Sequence, residues 1–366
     1  MDQTPYNAPS DLRPYLQLMV RMRASDLFLT VQAPPTLKVE GTMRRLDTKP
    51  LDSNEVRALA YSVLRESQRK AFETDMECDL AIAVEGLGRF RVNVYMQRGD
   101  IAMVARHISS TIPTMESLRL PPILKDLAML KRGLVLVVGA AGSGKSTTLA
   151  SMLDYRNANS ACHILTVEDP IEFTHVHKMS LVDQREVGLD TRSFGDALRH
   201  AMREAPDVIM IGEIRDRETI QHALSYAETG HLCVSTLHSN NANQAIDRIL
   251  NLFPDEARKQ ALLDLSLNLK GVVGQRLVRG RNGKRVPAVE VMLQSAYISE
   301  LILKGQIDQI KAAMVKEAED GMQTFDQALY DLYAAGDITA DEALAHADSR
   351  TDLGLRIKLH PAGGGE

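Results

Sequence analysis

Along the middle of the chain, short uninterrupted apolar runs alternate with longer stretches that are apolar on one face only. Gly133-Leu134-Val135-Leu136-Val137-Val138 is the clearest run, and it reads as a strand buried on both faces. Cys162 to Val167, Val208 to Ile211 and His231 to Ser235 read the same way. Between them lie helical patterns. One starts at Ser146 and continues to Arg156. Another covers Ser193 to Glu204, with Phe194, Ala197, Leu198, Ala201 and Met202 facing inward, and a third covers Arg217 to Thr229 with Gly230 as its C-terminal stop. Strand–helix alternation of this kind predicts a parallel sheet covered by helices.

The pattern before that block is different. Asp11 to Met22 has a helical apolar stripe, Ser25 to Val31 a strand pattern, and Leu37 to Leu46 a hairpin around Gly41-Thr42. Ser53 to Phe72 reads as one helix, with Glu55 placed three residues after a capping Asp52. Cys78 to Val84 and Gly88 to Met96 alternate as paired strands, and Ile101 to Ile108 adds a third. The periodicity therefore predicts a small α+β domain over residues 1–108, a proline-containing linker over 109–121, and an α/β domain over 122–360. From Asn243 onward helices predominate: Glu256 to Gly271, Ser299 to Lys304, Phe325 to Ala334 and Ala340 to Ala347. A hairpin is expected over Arg279 to Val291, turning at Asn282-Gly283, and a disordered tail over 361–366.

Composition narrows the function classes. At 366 residues the chain is long enough for two cores, and 44% hydrophobic with 25% charged residues is ordinary for a globular protein. A net charge of −5 speaks against a nucleic-acid partner, which needs clustered positive charge. Cys78, Cys162 and Cys233 form no C-x-x-C pair, so neither a zinc site nor a disulfide framework is expected. No basic-then-apolar leader opens the chain and no apolar run approaches ~20 residues, which points to the cytoplasm.

Candidate chemistry begins where the first buried strand ends. Gly139-Ala140-Ala141-Gly142-Ser143-Gly144-Lys145-Ser146 matches the phosphate-loop pattern G-x-x-x-x-G-K-[ST], between a strand and a helix as that motif requires. Its glycines let backbone N–H groups converge on one anion, Lys145 reaches the outer phosphates, and the Ser146 hydroxyl holds Mg²⁺. Thr147 follows as a further nucleotide contact. Glu213, at the end of a later apolar strand, stands where a second acidic residue holds the metal directly or through water. Glu168, Asp169 and Glu172 cluster at another strand end, where a carboxylate polarises the attacking water. His238 follows a strand C-terminus, the place for a γ-phosphate sensor; His231, at the other end of that run, is a second candidate for nucleotide contact. Arg89, Arg91, Arg98 and Arg106 all fall on the last strands of the first domain and are candidates for facing phosphate.

Taken together and in this order, these motifs resemble the secretion-type ATPases, and within them the type IV pilus retraction ATPases, the PilT and PilU proteins. The matching stretches include Arg89-Phe90-Arg91-Val92-Asn93-Val94, the phosphate loop, Val167 to Glu172, Asp183-Gln184-Arg185-Glu186-Val187-Gly188, Asp207 to Arg215 and Gly230 to His238. No tetracysteine module of the extension ATPases is present. Ala296 to Lys304 departs at both arginines from the A-I-R-N-L-I-R-E stretch of the main retraction type, and is more similar to the PilU branch. The resemblance implies a PAS-like N-terminal domain, a RecA-like P-loop ATPase domain with C-terminal helices, and a homohexameric ring using ATP and Mg²⁺. It implies a ring at the cytoplasmic face of the inner membrane that docks on a platform protein and works with a paralogous retraction ATPase. Within the acidic box it favours Glu172 as the catalytic glutamate over Glu168. Of the four arginines on the last strands of the first domain, Arg98 and Arg106 are the ones expected to be offered to the transferring phosphate. Leu301 and Ile302 are expected on a helix face turned to a partner or to the core.

Overall fold

A computed structural model of the chain describes residues 12–39, 41–317 and 321–360. The expected disordered tail over 361–366 lies outside the described residues. The chain divides into two compact units. The first is built on the chain up to Thr111 together with Glu172–Thr174, the second on Ile112–Ile171 and the chain from His175 onward.

The first unit is an antiparallel sheet with helices. Its strands are β1 (Asp26–Leu29), β2 (Thr36–Val39), β3 (Thr42–Arg45), β4 (Glu77–Val84), β5 (Gly88–Gln97) and β6 (Asp100–Ile108), in the order β3-β2-β1-β6-β5-β4. Alternation decides which face is covered: Leu80, Ile82 and Val84 on β4 and Phe90, Val92 and Val94 on β5 are buried, in one core with Leu16 and Met19 of the helix Arg13–Arg21 and Val56 and Ala60 of the next. The helix expected from Ser53 to Phe72 is in fact two, Ser53–Val63 and Glu66–Asp75. Leu64 leaves the helical region (φ −87°, ψ 128°) and is buried, and the Arg65 N–H is taken by Gln68 Oε1 at 3.0 Å, which starts the second helix. The capping box read at Asp52 and Glu55 is present, with Asp52 Oδ1 accepting the Glu55 N–H at 2.8 Å.

The second unit carries β7 (Gly133–Val138), β8 (His163–Glu168), β9 (Leu181–Glu186), β10 (Val208–Ile211), β11 (Leu232–Leu237), β12 (Leu269–Arg279) and β13 (Arg285–Leu293), in the order β13-β12-β7-β11-β10-β8-β9. All neighbours are parallel except the β12–β13 pair. On β7, Leu134, Leu136 and Val138 enter one core while Val135 and Val137 enter the other, so both faces of the sheet are covered. This is the α/β architecture the periodicity predicted.

Two strands escaped the pattern. β9 is mostly polar, with no apolar run to mark it. The helix expected over Glu256 to Gly271 stops at Asn268, and the chain continues as β12. Val272-Val273 between two glycines suits a strand better than a helix. Gly274 is required by packing as well, since a Cβ there would stand 2.9 Å from the Phe325 ring. The hairpin read over Arg279 to Val291 is thus the tip of a longer one. Against β12 and β13 pack the helices Phe325–Ala334, Ala340–His346 and Arg350–Leu359, around Phe325, Leu329, Ile338 and Leu353.

Leu301 and Ile302 belong to the interior. On the helix Ala296–Leu303 they are 2% and 1% exposed and join Ile298 in the main core, whereas Tyr297 and Leu303 face outward. The partner-facing alternative for these two residues is therefore corrected to core packing. No described helix is long and apolar enough to cross a membrane.

Candidate functional site

The parallel strands end together, and the phosphate loop lies at that edge. After β7 the loop turns through Gly139, Gly142 and Gly144, all at positive φ, into the helix Lys145–Asn159. Gly139 allows no side chain, because a Cβ would stand 2.4 Å from Ser143 Oγ and 2.5 Å from the Gln275 carbonyl oxygen. Lys145 is buried, and its Nζ donates to the carbonyls of Gly139 and Ala140 at 2.9 Å each. Burial lowers its pKa, against an opposing pull from the Glu213 charge. Ser143 Oγ is buried with no hydrogen-bond partner among the described residues. Ser146, one residue after Lys145, is exposed. An orphaned hydroxyl, a buried ammonium and a glycine cradle are what an anionic phosphate chain completes, so these residues fit a nucleotide. The exposed Ser146 hydroxyl and the carboxylate of Glu213 are hard oxygen donors of the kind Mg²⁺ takes.

The loop is braced from below. Thr148 Oγ1 donates to Gln275 Oε1 at 2.6 Å, tying the first turn of the helix to β12. Beside this contact is a cavity of about 280 Å³, lined in part by Leu118, Thr147, Thr148, Leu277 and Pro287. On the other side a cavity of about 620 Å³ is lined by Gly139, Ala140, His238, Asn240 and Arg248.

Two glutamates stand on neighbouring strand ends, both on the β11 side of the loop. Glu213, just beyond β10, is held by Arg215 through Oε2 at 2.9 Å and has His238 Nε2 3.4 Å from Oε1. Desolvation, and next the charge of Lys145, lower the pKa of His238 against the opposing charge of Glu213, and the net shift favours the neutral imidazole. Glu168 closes β8 and is 6% exposed. Alternation along β8 puts it on the face of Ile164, which packs with Leu149 and Leu153 of the phosphate-loop helix. Glu172 is placed differently. It is exposed, and its segment pairs with the first unit, where Phe173 bridges Ser109 and the Thr174 N–H donates to the Ser109 carbonyl at 3.0 Å. Of the acidic box, the second unit gathers Glu168 and Asp169, not Glu172.

A family model described as "Type II/IV secretion system protein" matches residues 112–319. The type IV pilus ATPase PilU of Pseudomonas aeruginosa is 53% identical over 345 residues, spanning 94% of this chain and 90% of PilU. The chain belongs to the PilT/PilU family of type IV pilus retraction ATPases. The retraction ATPase PilT of the same organism is 44% identical over 333 residues, 91% of this chain and 97% of PilT. A crystal structure of the pilus retraction motor PilT with bound ADP superposes with a TM-score of 0.87 at 42% identity, covering 93% of this chain and 98% of that one.

Within this PilT/PilU-type chain, not every residue singled out in the sequence reaches the loop. β11 runs parallel to β7, so its C-terminal end, with His238, lies at the phosphate-loop edge. His231 is at the opposite end of the same strand, roughly 20 Å away at the rise of a strand. There its Nδ1 lies 3.2 Å from Thr229 Oγ1 and 3.3 Å from the Tyr226 carbonyl. The expected nucleotide contact from His231 is corrected accordingly: it serves the turn after the helix Arg217–Glu228. In the first unit Arg98 is not on a strand but in the β5–β6 turn, exposed, with φ 51°. Arg106 lies on β6, and its Nε donates to the buried Asp26 at 2.8 Å while most of its side chain remains exposed. Sequence reading missed Gln275, which falls between the helix expected to end at Gly271 and the hairpin expected from Arg279. The pair Gln275-Arg276, polar in the otherwise apolar run Gly271 to Val278, was the available signal. It also passed over Arg215 and the individual residues of Asp183 to Glu186.

Proposed function

We propose that this chain hydrolyses MgATP in a ring of six and uses the reaction to drive or assist retraction of a type IV pilus. The observation that carries this reading is the phosphate loop, with the buried Lys145 and the orphaned Ser143 hydroxyl, facing Glu213 and His238 at one sheet edge. The loop's N–H groups and Lys145 hold the β- and γ-phosphates, and the apolar cavity at Thr147, Thr148 and Leu277 takes the base. Mg²⁺, when bound by Ser146 and by Glu213 directly or through water, supplies charge neutralisation for the phosphates.

Glu168 orients the attacking water and accepts its proton. Oxygen–phosphorus bonding forms on the γ-phosphate as the bond to ADP breaks. The resemblance favoured Glu172 for this role; burial on the phosphate-loop helix side supports Glu168. Arg98, and less freely Arg106, are the arginines offered to the transferring phosphate. His238 senses the γ-phosphate through Glu213. The ring acts at the cytoplasmic face of the inner membrane, through a platform protein, with no nucleic-acid partner.

A second reading is supported by the higher identity to PilU than to PilT, together with the loss of both arginines in Ala296 to Lys304. Here the chain is a nucleotide-binding accessory ring that acts through a paralogous ATPase with little turnover of its own. One experiment separates the two. The purified chain and its Lys145→Ala variant are assayed for Mg²⁺-dependent ATP hydrolysis, alone and with the paralogue. Turnover by the chain alone, abolished in the variant, supports the motor. Tight ATP binding without turnover supports the accessory ring, and wild-type hydrolysis by the variant refutes the phosphate-loop assignment.

A further inference from the structure

The polar edge strand β9 has a role that the phosphate loop, Glu213 and His238 do not account for. We propose that Gln184 on β9 is a positioning residue for hydrolysis, which keys the carboxylate of Glu168 to the helix that presents Lys145. The inference rests on the proposed role of Glu168 in orienting water.

The contacts form a continuous path. In the β8–β9 register Thr166 is paired with Gln184, so the two side chains stand side by side. Both donate to the same oxygen of Glu168: Thr166 Oγ1 at 2.7 Å and Gln184 Nε2 at 3.1 Å from Oε1. The amide of Gln184 has only one workable orientation. Its Oε1 accepts the His175 backbone N–H at 2.7 Å, and a backbone N–H can only donate, so the NH₂ end must face the carboxylate. His175 in turn opens a loop fastened to the phosphate-loop helix. Asn157, fully buried in the last turn of Lys145–Asn159, donates to the Val176 carbonyl at 2.7 Å and accepts from the Lys178 N–H at 3.1 Å. The Asn157 carbonyl takes the N–H groups of Met179 and Ser180. Glu168 is therefore held both by its own strand through Thr166 and, from another direction, by the Lys145 helix through Asn157, the loop and Gln184. A group held within a few tenths of an ångström is what orientation of a water molecule demands, and displacement by about 1 Å is enough to cost about a hundredfold in rate.

The test is steady-state ATP hydrolysis by the full chain carrying Gln184→Leu, Gln184→Glu or Gln184→Asn, with Glu168→Gln alone and combined with Gln184→Leu. Gln184→Leu is expected to lower kcat tenfold or more with KM for ATP within about threefold, because nucleotide binding does not pass through Glu168. Gln184→Glu fills the same volume, so a packing role would be preserved. A positioning role predicts a loss at least as large as with Leu, since a carboxylate would then face a carboxylate. Gln184→Asn, one methylene short, is also expected to lose kcat. The double variant should be no slower than Glu168→Gln, because the two residues act as one unit.

Near-wild-type kcat for Gln184→Leu and Gln184→Glu, or multiplying losses in the double variant, would overturn the proposal while leaving Glu168 in place. Wild-type turnover by Glu168→Gln would instead remove the reading on which the proposal stands.

Discussion

Glu290 makes a prediction whose size can be worked from the structure. It lies on β13, 2% exposed, and its Oε1 accepts the Ala242 N–H at 2.7 Å, at the start of the helix Ala242–Leu250 that follows His238. Burial is the main cause pushing its carboxyl up to about 7, with Asp348 adding to the rise and the Ala242 N–H, Arg276 and Lys311 opposing it. In the unfolded chain the same group titrates near its ordinary 4.5. Between those values the folded state binds a proton that the unfolded state does not, so stability falls as pH rises through the window. At 1.36 kcal/mol per unit the fall is about 2–3 kcal/mol between roughly pH 5 and pH 8. Glu290→Gln keeps an acceptor for Ala242 and removes the titration. Urea unfolding of both proteins at the two pH values isolates the group, because the other titrations cancel in the difference. The variant should gain on the wild type by about 2–3 kcal/mol on going from pH 5 to pH 8, whichever is the more stable at the start. An unchanged difference between the two proteins would mean that the carboxylate is ionised at little cost, and that the Ala242 contact is not made by a buried neutral acid.

Three further outcomes are expected. Glu168→Gln should bind ATP and hydrolyse it at least about a hundredfold more slowly, as loss of a positioned base does, whereas Glu172→Gln should stay within a few-fold; the reverse result would return the role to Glu172. Leu301→Ala should destabilise the protein by about 3 kcal/mol in thermal unfolding, with Leu303→Ala within about 0.5 kcal/mol; equal small effects would put Leu301 back on a partner face. Arg98→Ala should cut kcat tenfold or more with little change in ATP affinity, lysine rescuing poorly, and an unchanged kcat would mark a solvated turn. Arg106→Ala is the less clean variant, because it also strips the buried Asp26 carboxylate of an ion-pair partner.

How much could be read before the structure depended on where apolar periodicity was strong. β7, β8, β10 and β11 are short runs dominated by apolar residues and were placed to within a residue or two, and so was the phosphate loop at the end of β7. β9 stayed invisible because an edge strand covered on one side needs no apolar run, and its residues are spent on partners: Asp183 on His163, Gln184 on Glu168, Arg185 on Glu204. β12 was misread because the helix before it passes into the strand at Leu269 without a glycine or proline to mark the end. The placement of Glu172 with Ser109, and of His231 at the far end of its strand, depends on contacts distant in sequence. Motif spacing identified which residue types mattered, but only the strand directions told which of them share an edge.

Gln275 and Arg276 are successive residues of β12, and so point to opposite faces of the sheet. Gln275 supports the floor of the phosphate loop through Thr148. Arg276 lies over the Phe325 ring at 3.8 Å, donates to the His346 carbonyl at 2.6 Å and pairs with Asp348 at 2.6 Å. One peptide unit thus separates the seat of the nucleotide from the hold on the last helices of the chain. Those helices are in consequence no appendix that could be trimmed without notice: shortening the chain before Asp348 would leave a guanidinium without its carboxylate on the strand that braces the loop. The bracing of the phosphate loop and the fastening of the C-terminal helices thus rest on adjacent residues of one strand, one on each face of the sheet.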